Sequence, residues 1–146
     1  MTEPTIYEHL GGDDALRRAV DIFYSSVLAD PMLKPLFGAG RPEHVDHLTA
    51  FMGEVFGGPA RYTEELGGFD HIVATHRGLG IAEAQRARFV ELMIAAADKA
   101  GLPTDERFRA AWDSHAEFGS QVAMQNSNAR SDQELHPLRE MPLWTW

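Results

Sequence analysis

Seven histidines and one tyrosine on an apolar helix face carry most of the chemistry open to this chain. His44 lies four residues before Leu48 and seven before Phe51, at the start of an apolar helix stripe, and His47 flanks the same stripe. At the entrance end of that face, the two read as a solvated, helix-starting pair beside Glu43 and Asp46. A dinuclear metal site lacks its usual companion, a Glu-x-x-His pair on another helix. His76 sits in a glycine-bracketed stretch of weak periodicity, so it is either a surface side chain or a ring nitrogen offered to a ligand. His71, five residues earlier, does not match the i, i+4 spacing of a helical ligand pair. His9 and His136 lie near the ends and read as incidental, and His115 reads as a hydrogen-bonded core histidine. Tyr24 stands beside Phe23 on the inner side of a helix. A buried phenol needs a partner, either a backbone carbonyl or a ligand in a central cavity.

Other chemistries are absent. Cysteine does not occur, which removes disulfides, zinc-thiolate sites, iron–sulfur clusters and thiol catalysis. Ser25 and Ser26 lie mid-helix with no nucleophile elbow around them. No glycine-rich phosphate loop is present. The adjacent carboxylates Asp13-Asp14 and Glu64-Glu65 diverge and read as solvated surface.

The elements that must position these groups are helical. Leu16, Val20, Phe23, Tyr24, Val27 and Leu28 recur at spacings of three and four, which predicts a helix over 13–29. It ends near Asp30-Pro31, because the residue before proline is pushed out of the helical region. Val45, Leu48, Phe51, Met52, Val55 and Phe56 predict a second long helix from about Pro42 to Gly57-Gly58-Pro59. Periodicity dissolves between 60 and 80, with a short piece over 69–77. It returns over 81–100, where Gln85, Phe89, Leu92, Met93 and Ala96 share a side and Gly101 is a natural stop. A last helix follows, with Thr104 as its expected N-cap and Phe108, Trp112, His115, Phe118 and Val122 along one line. No alternating strand pattern of useful length occurs, so the chain reads as all-α with four substantial helices. Residues 128–146 read as a tail in which Leu143, Trp144 and Trp146 fold back or bury against a second subunit.

The chain has 146 residues, enough for one domain with a real core. Acidic residues number 22 against 13 basic ones, a formal charge of −9. That sign repels phosphate backbones and anionic membrane surfaces, so neither nucleic acid nor membrane is an expected partner. With no secretory signal or apolar span in view, the expected location is cytoplasmic.

In order and spacing, these pieces resemble the truncated haemoglobins, most of all their second group. The resemblance is carried by Tyr7-Glu8-His9-Leu10-Gly11-Gly12, by Phe23-Tyr24, by Leu28-Ala29-Asp30-Pro31 through Phe37, by Phe51–Phe56 with Gly57-Gly58-Pro59 and Tyr62, and by His76. It implies a two-over-two helical sandwich around haem b, with a globin domain over 1–127 and an extension over 128–146. His76 falls on the family's proximal ligand, Tyr24 on its distal tyrosine and His44 on its distal gate. Leu48, Phe51 and Phe37 are implied as pocket walls, and Tyr62, His47 and Arg77 as candidates for the haem propionates. Group-two members carry tryptophan thirteen residues after the proximal histidine; here that place is Phe89, which has the ring but lacks the indole N–H donor.

The implied function is reversible binding of dioxygen, carbon monoxide or nitric oxide. Nitric oxide dioxygenation or peroxide reduction would need electrons from another protein, because the chain shows no reductase domain or nicotinamide motif. The competing reading is a haem-free globin-shaped module that holds a small apolar ligand or partner. Monomer and homodimer both remain open.

Overall fold

A computed structural model describes residues 3–38, 40, 42–131 and 143–146. Among these residues every regular element is helical: α1 (Ile6–Leu10), α2 (Gly12–Ala29), α3 (Lys34–Phe37), α4 (Pro42–Val55), α5 (Arg61–Glu65), α6 (Gly68–His76), α7 (Glu83–Lys99) and α8 (Glu106–Ser127). The four long helices α2, α4, α7 and α8 are the four read from periodicity; α2, α4 and α7 end within a residue or two of expectation, and α8 runs five residues past Val122, the last of its expected apolar line. They form two layers: α2 packs on α4, α7 packs on α8, and α2 lies against α7 to join the pairs.

The short piece expected over 69–77 is α6, and the stretch before it, expected to lack periodicity, holds α5. A five-residue helix is little more than one turn, so it cannot show an apolar repeat. It forms because tertiary packing buries Tyr62, as packing buries Val73 in α6.

Two further expectations are corrected. Asp105, not Thr104, caps α8: its carboxylate accepts the Phe108 amide N–H at 3.0 Å. The same carboxylate pairs with His9 Nε2 at 2.8 Å, so His9 is a tie between α1 and α8 rather than an incidental residue. His136 lies outside the described residues.

The core joins Leu16, Val20, Phe23 and Val27 of α2 to Met52 and Phe56, to Met93 and Ala97 of α7, and to Phe108 and Trp112 of α8. Fully burying one such side chain stabilises the fold by about 1.5–3 kcal/mol. Trp112 lies near-parallel to Phe56 with ring centres 5.9 Å apart and donates its indole N–H to the Met93 carbonyl at 3.0 Å, so its one polar atom is satisfied.

The turn after α4 explains Gly57-Gly58. Gly57 has φ +97°, a left-handed conformation that glycine adopts without a Cβ clash. At Gly58 a Cβ would lie 2.8 Å from both the Gly53 carbonyl oxygen and the Tyr7 ring, so only hydrogen fits. The Tyr7 amide donates to the Phe56 carbonyl at 2.9 Å, pinning α1 across this turn. No helix among the described residues is long and apolar enough to cross a membrane.

Candidate functional site

Three elements bring rings together at one end of the α2–α4 pair. Tyr24 on α2 is 7% exposed, and its hydroxyl lies 2.7 Å from His44 Nδ1. His44 is half-buried in the first turn of α4. Phe37, the last residue of α3, meets Tyr24 edge-on at 5.9 Å and His44 at 6.2 Å. The backbone at Gly40 passes close above: a Cβ there would sit 3.4 Å from the Tyr24 hydroxyl. Tyr24 thus has a side-chain partner drawn from a different helix.

Leu48 and Phe51 follow His44 along the same face of α4, both half-buried. Phe51 meets Tyr62 of α5 edge-on at 5.6 Å and packs against Val73 of α6, so it links α4 to the helix that carries His76. Tyr62 is almost fully buried, and that burial raises its phenol above the usual tyrosine range. Phe89 of α7 sets its ring edge against Phe23 at 4.9 Å, next to the Tyr24 position.

His76 ends α6, and its Nδ1 lies 2.7 Å from the Ile72 carbonyl oxygen one turn earlier. A carbonyl can only accept, so Nδ1 carries the hydrogen. Burial is the larger influence on this imidazole and lowers its pKa; the Ile72 bond opposes that with a smaller upward effect. The ring is therefore neutral near pH 7, with the hydrogen on Nδ1 and a lone pair on Nε2. A ring held in one tautomer by a carbonyl bond to its other nitrogen is the arrangement found in metal-ligating histidines. With one neutral nitrogen donor and aromatic walls, these residues fit a flat apolar macrocycle with a metal centre.

Not every expected residue joins this group. His47 is exposed. Arg77 is exposed at the end of α6, where its guanidinium donates to the Arg130 carbonyl at 2.9 Å. His115 is buried as expected, but among the described residues it makes ring contacts and no hydrogen bond. It meets Phe56 at 4.9 Å, Phe51 at 6.4 Å and Trp144 at 5.5 Å. Removal from water pushes its pKa down to about 4.

One residue that positions the site was not foreseen. Glu54 of α4 is 5% exposed; its carboxylate accepts the Thr63 amide N–H at 2.8 Å and also the Thr63 hydroxyl. Ala60, at the N-cap of α5, has no side chain that can cap. Glu54 therefore caps α5 from another helix and so holds Tyr62 against Phe51. A signal existed: a carboxylate within the apolar run Met52–Phe56 had no local reason to be there. Beside it, Asp46 bridges Arg17 of α2 (2.9 Å) and Arg61 of α5, whose hydrogen bonds hold its carboxyl below the ordinary range.

A two-layer helical sandwich, a Tyr–His hydrogen bond between α2 and α4 and a tautomer-locked imidazole at the end of α6 together match the outline of a shortened globin. The family profile described as bacterial-like globin matches residues 5–127, and the chain belongs to that family. Among curated relatives, the group 2 truncated hemoglobin YjbI of Bacillus subtilis is 33% identical over 69% of this chain and 75% of its own. The group 1 truncated hemoglobin GlbN of a Nostoc species is 32% identical over 54% of this chain; that match spans 64% of GlbN, just under two thirds of its length. Among solved structures, hemoglobin from Chloroflexus aurantiacus superposes with a TM-score of 0.75 at 38% identity, covering 84% of this chain and 98% of that one. The group II truncated hemoglobin from Bacillus anthracis gives 0.78 at 27% identity, covering 90% and 99%. Membership implies haem and a diatomic gas ligand.

Proposed function

We propose that this chain holds haem b between α4 and α6 and binds dioxygen, carbon monoxide or nitric oxide reversibly. The observation that carries the reading is the Nδ1–H bond from His76 to the Ile72 carbonyl, which leaves Nε2 as a neutral donor. The haem would supply an iron at which the gas binds, and His76 would hold it through Nε2.

The remaining roles belong to the chain's own side chains. Phe37, Leu48, Phe51 and Phe89 exclude water from the pocket. Tyr62 would lie at its α5 edge, and the exposed side chains His47 and Arg77, which stand outside the ring cluster, are the polar groups that would meet the propionates. Tyr24 and His44 supply hydrogen-bonding capacity on the distal side. Which of them presents a hydrogen to a ligand depends on the His44 tautomer. With the hydrogen on Nδ1, His44 donates to Tyr24 and the phenol hydrogen is directed elsewhere; with it on Nε2, Tyr24 donates to His44 and the imidazole N–H is the outward donor.

The ferric, ferrous and carbonyl absorption spectra of the purified, haem-supplemented protein test the reading. The expected result is a Soret band that moves on reduction and again with carbon monoxide. His76→Gly should lose the axial imidazole signature and regain it on adding free imidazole. A wild-type protein with no Soret band after haem addition would overturn the proposal in favour of a haem-free module.

A further inference from the structure

Residues 128–146 lie beyond the matched family region, yet the last four make specific contacts with three helices. The Trp144 amide donates to the Val55 carbonyl at 2.6 Å. Val55 ends α4, and the last carbonyls of a helix have no partner within it. The Trp144 ring meets His115 edge-on at 5.5 Å and Phe118 at 5.5 Å, both on α8. Trp146 donates its indole N–H to the Pro4 carbonyl at 2.8 Å, sits 5.2 Å from the His9 ring and lies beneath the Arg107 guanidinium at 4.5 Å. The exit of α4 is thus held from two sides, by Tyr7 near the start of the chain and by Trp144 near its end. His115 connects this corner to the interior, since its ring touches both Trp144 and Phe51.

We propose that Trp144 and Trp146 form a clasp that fixes the C-terminal end of α4 against α1 and α8 and, through His115, sets the position of Phe51. Residues 143–146 are then a rear support of the pocket wall. That Phe51 faces haem rests on the function proposed above; the clasp itself does not.

Amide hydrogen exchange on the full-length chain tests the clasp. In the wild type the Trp144 amide should exchange at least about tenfold more slowly than in an unstructured peptide. Trp144→Ala should speed exchange at Tyr7, Gly57 and Gly58 by about tenfold, and Trp144→Phe should recover most of the protection. In the haem-loaded protein, Trp144→Ala should also hasten transfer of haem to an excess of acceptor apoglobin by several fold. A Trp144 amide that exchanges at the peptide rate in the wild type overturns the clasp, whatever the variants do. So does unchanged protection at Tyr7, Gly57 and Gly58 in Trp144→Ala. Changed exchange with unaltered haem transfer upholds the clasp and overturns its link to Phe51. If the chain takes up no haem, the function above fails and the exchange results still decide the clasp. Should Trp144→Ala not fold, the wild-type amide and Trp144→Phe give the answer.

Discussion

The Tyr24 hydroxyl and His44 Nδ1 share a 2.7 Å hydrogen bond between α2 and α4, twenty residues apart in the chain. Because one hydrogen serves that contact, each side chain governs what the other can offer a ligand. Tyr24→Phe should speed dioxygen release by about tenfold, the effect of one lost bond of about 1.4 kcal/mol. Tyr24→Phe and His44→Leu should not be additive, with a coupling of about 1 kcal/mol in release rates measured by stopped flow. Additivity within about 0.3 kcal/mol would show that the two act separately.

His115 makes the fold sensitive to acid. Its folded pKa of about 4 lies below the ordinary 6.5, so over that interval the unfolded chain binds the extra proton. The contribution of this residue is complete above pH 6.5, declines as pH falls and is gone near pH 4, with an upper bound of about 3 kcal/mol. His76 is displaced in the same direction by burial. Asp46 is held low by Arg61 and Arg17, so its contribution is present above 3.8 and is lost only at lower pH. Urea unfolding of wild type and His115→Leu between pH 7 and 4 should give a shallower decline for the variant. Parallel curves would remove His115 from the account.

Gly58 tolerates no side chain. Gly58→Ala places a methyl 2.8 Å from the Gly53 carbonyl oxygen and the Tyr7 ring, and should cost about 1–3 kcal/mol of stability. Gly119 provides the contrast. It lies within α8 with nothing within 4 Å of an added Cβ, so Gly119→Ala should stabilise by about 0.5–1 kcal/mol. Equal effects of the two substitutions in denaturant midpoints would contradict the packing described at Gly58.

Glu54 should matter through α5. Glu54→Ala removes the cap and should cost about 1–2 kcal/mol, while Glu54→Gln keeps an acceptor and should cost less. Exchange at the Thr63 amide reads the effect directly. Unaltered Thr63 protection in Glu54→Ala would show that α5 is held by other means.

The long helices were legible because an apolar stripe repeated over four or more turns suits a helix and little else. Leu16, Val20, Phe23 and Val27 declare α2 without help from the rest of the chain. Tyr24 was legible for the same reason, as a polar group on that stripe. α5 was not, because five residues cannot display a period and its cap comes from Glu54, nine residues back on another helix. The His9–Asp105 tie spans 96 residues, and no local pattern records it. Thr104 and Asp105 are both good N-caps, and the pairing with His9 gives Asp105 a second role there. At His115 the apolar line correctly implied burial, but not that aromatic rings would replace the expected hydrogen bond. For His76, the glycine-bracketed stretch left a surface side chain and a ligand both open, the family resemblance pointed to the ligand, and its tautomer depends on the Ile72 carbonyl and so on α6 having formed.

α6 packs mainly on α5 and α8, and among its described side chains Val73 is the buried apolar one, in a small cluster that meets the main core through Phe51. In the haem site proposed above, α6 with His76 would form one bank, and α2 and α4 with Tyr24 and His44, packed into the main core, would form the other. A rigid disc spanning both would serve as a keystone, lending its own binding energy to the architecture. Heat resistance would then climb with the supply of that disc, and the mooring of α6 would tighten first.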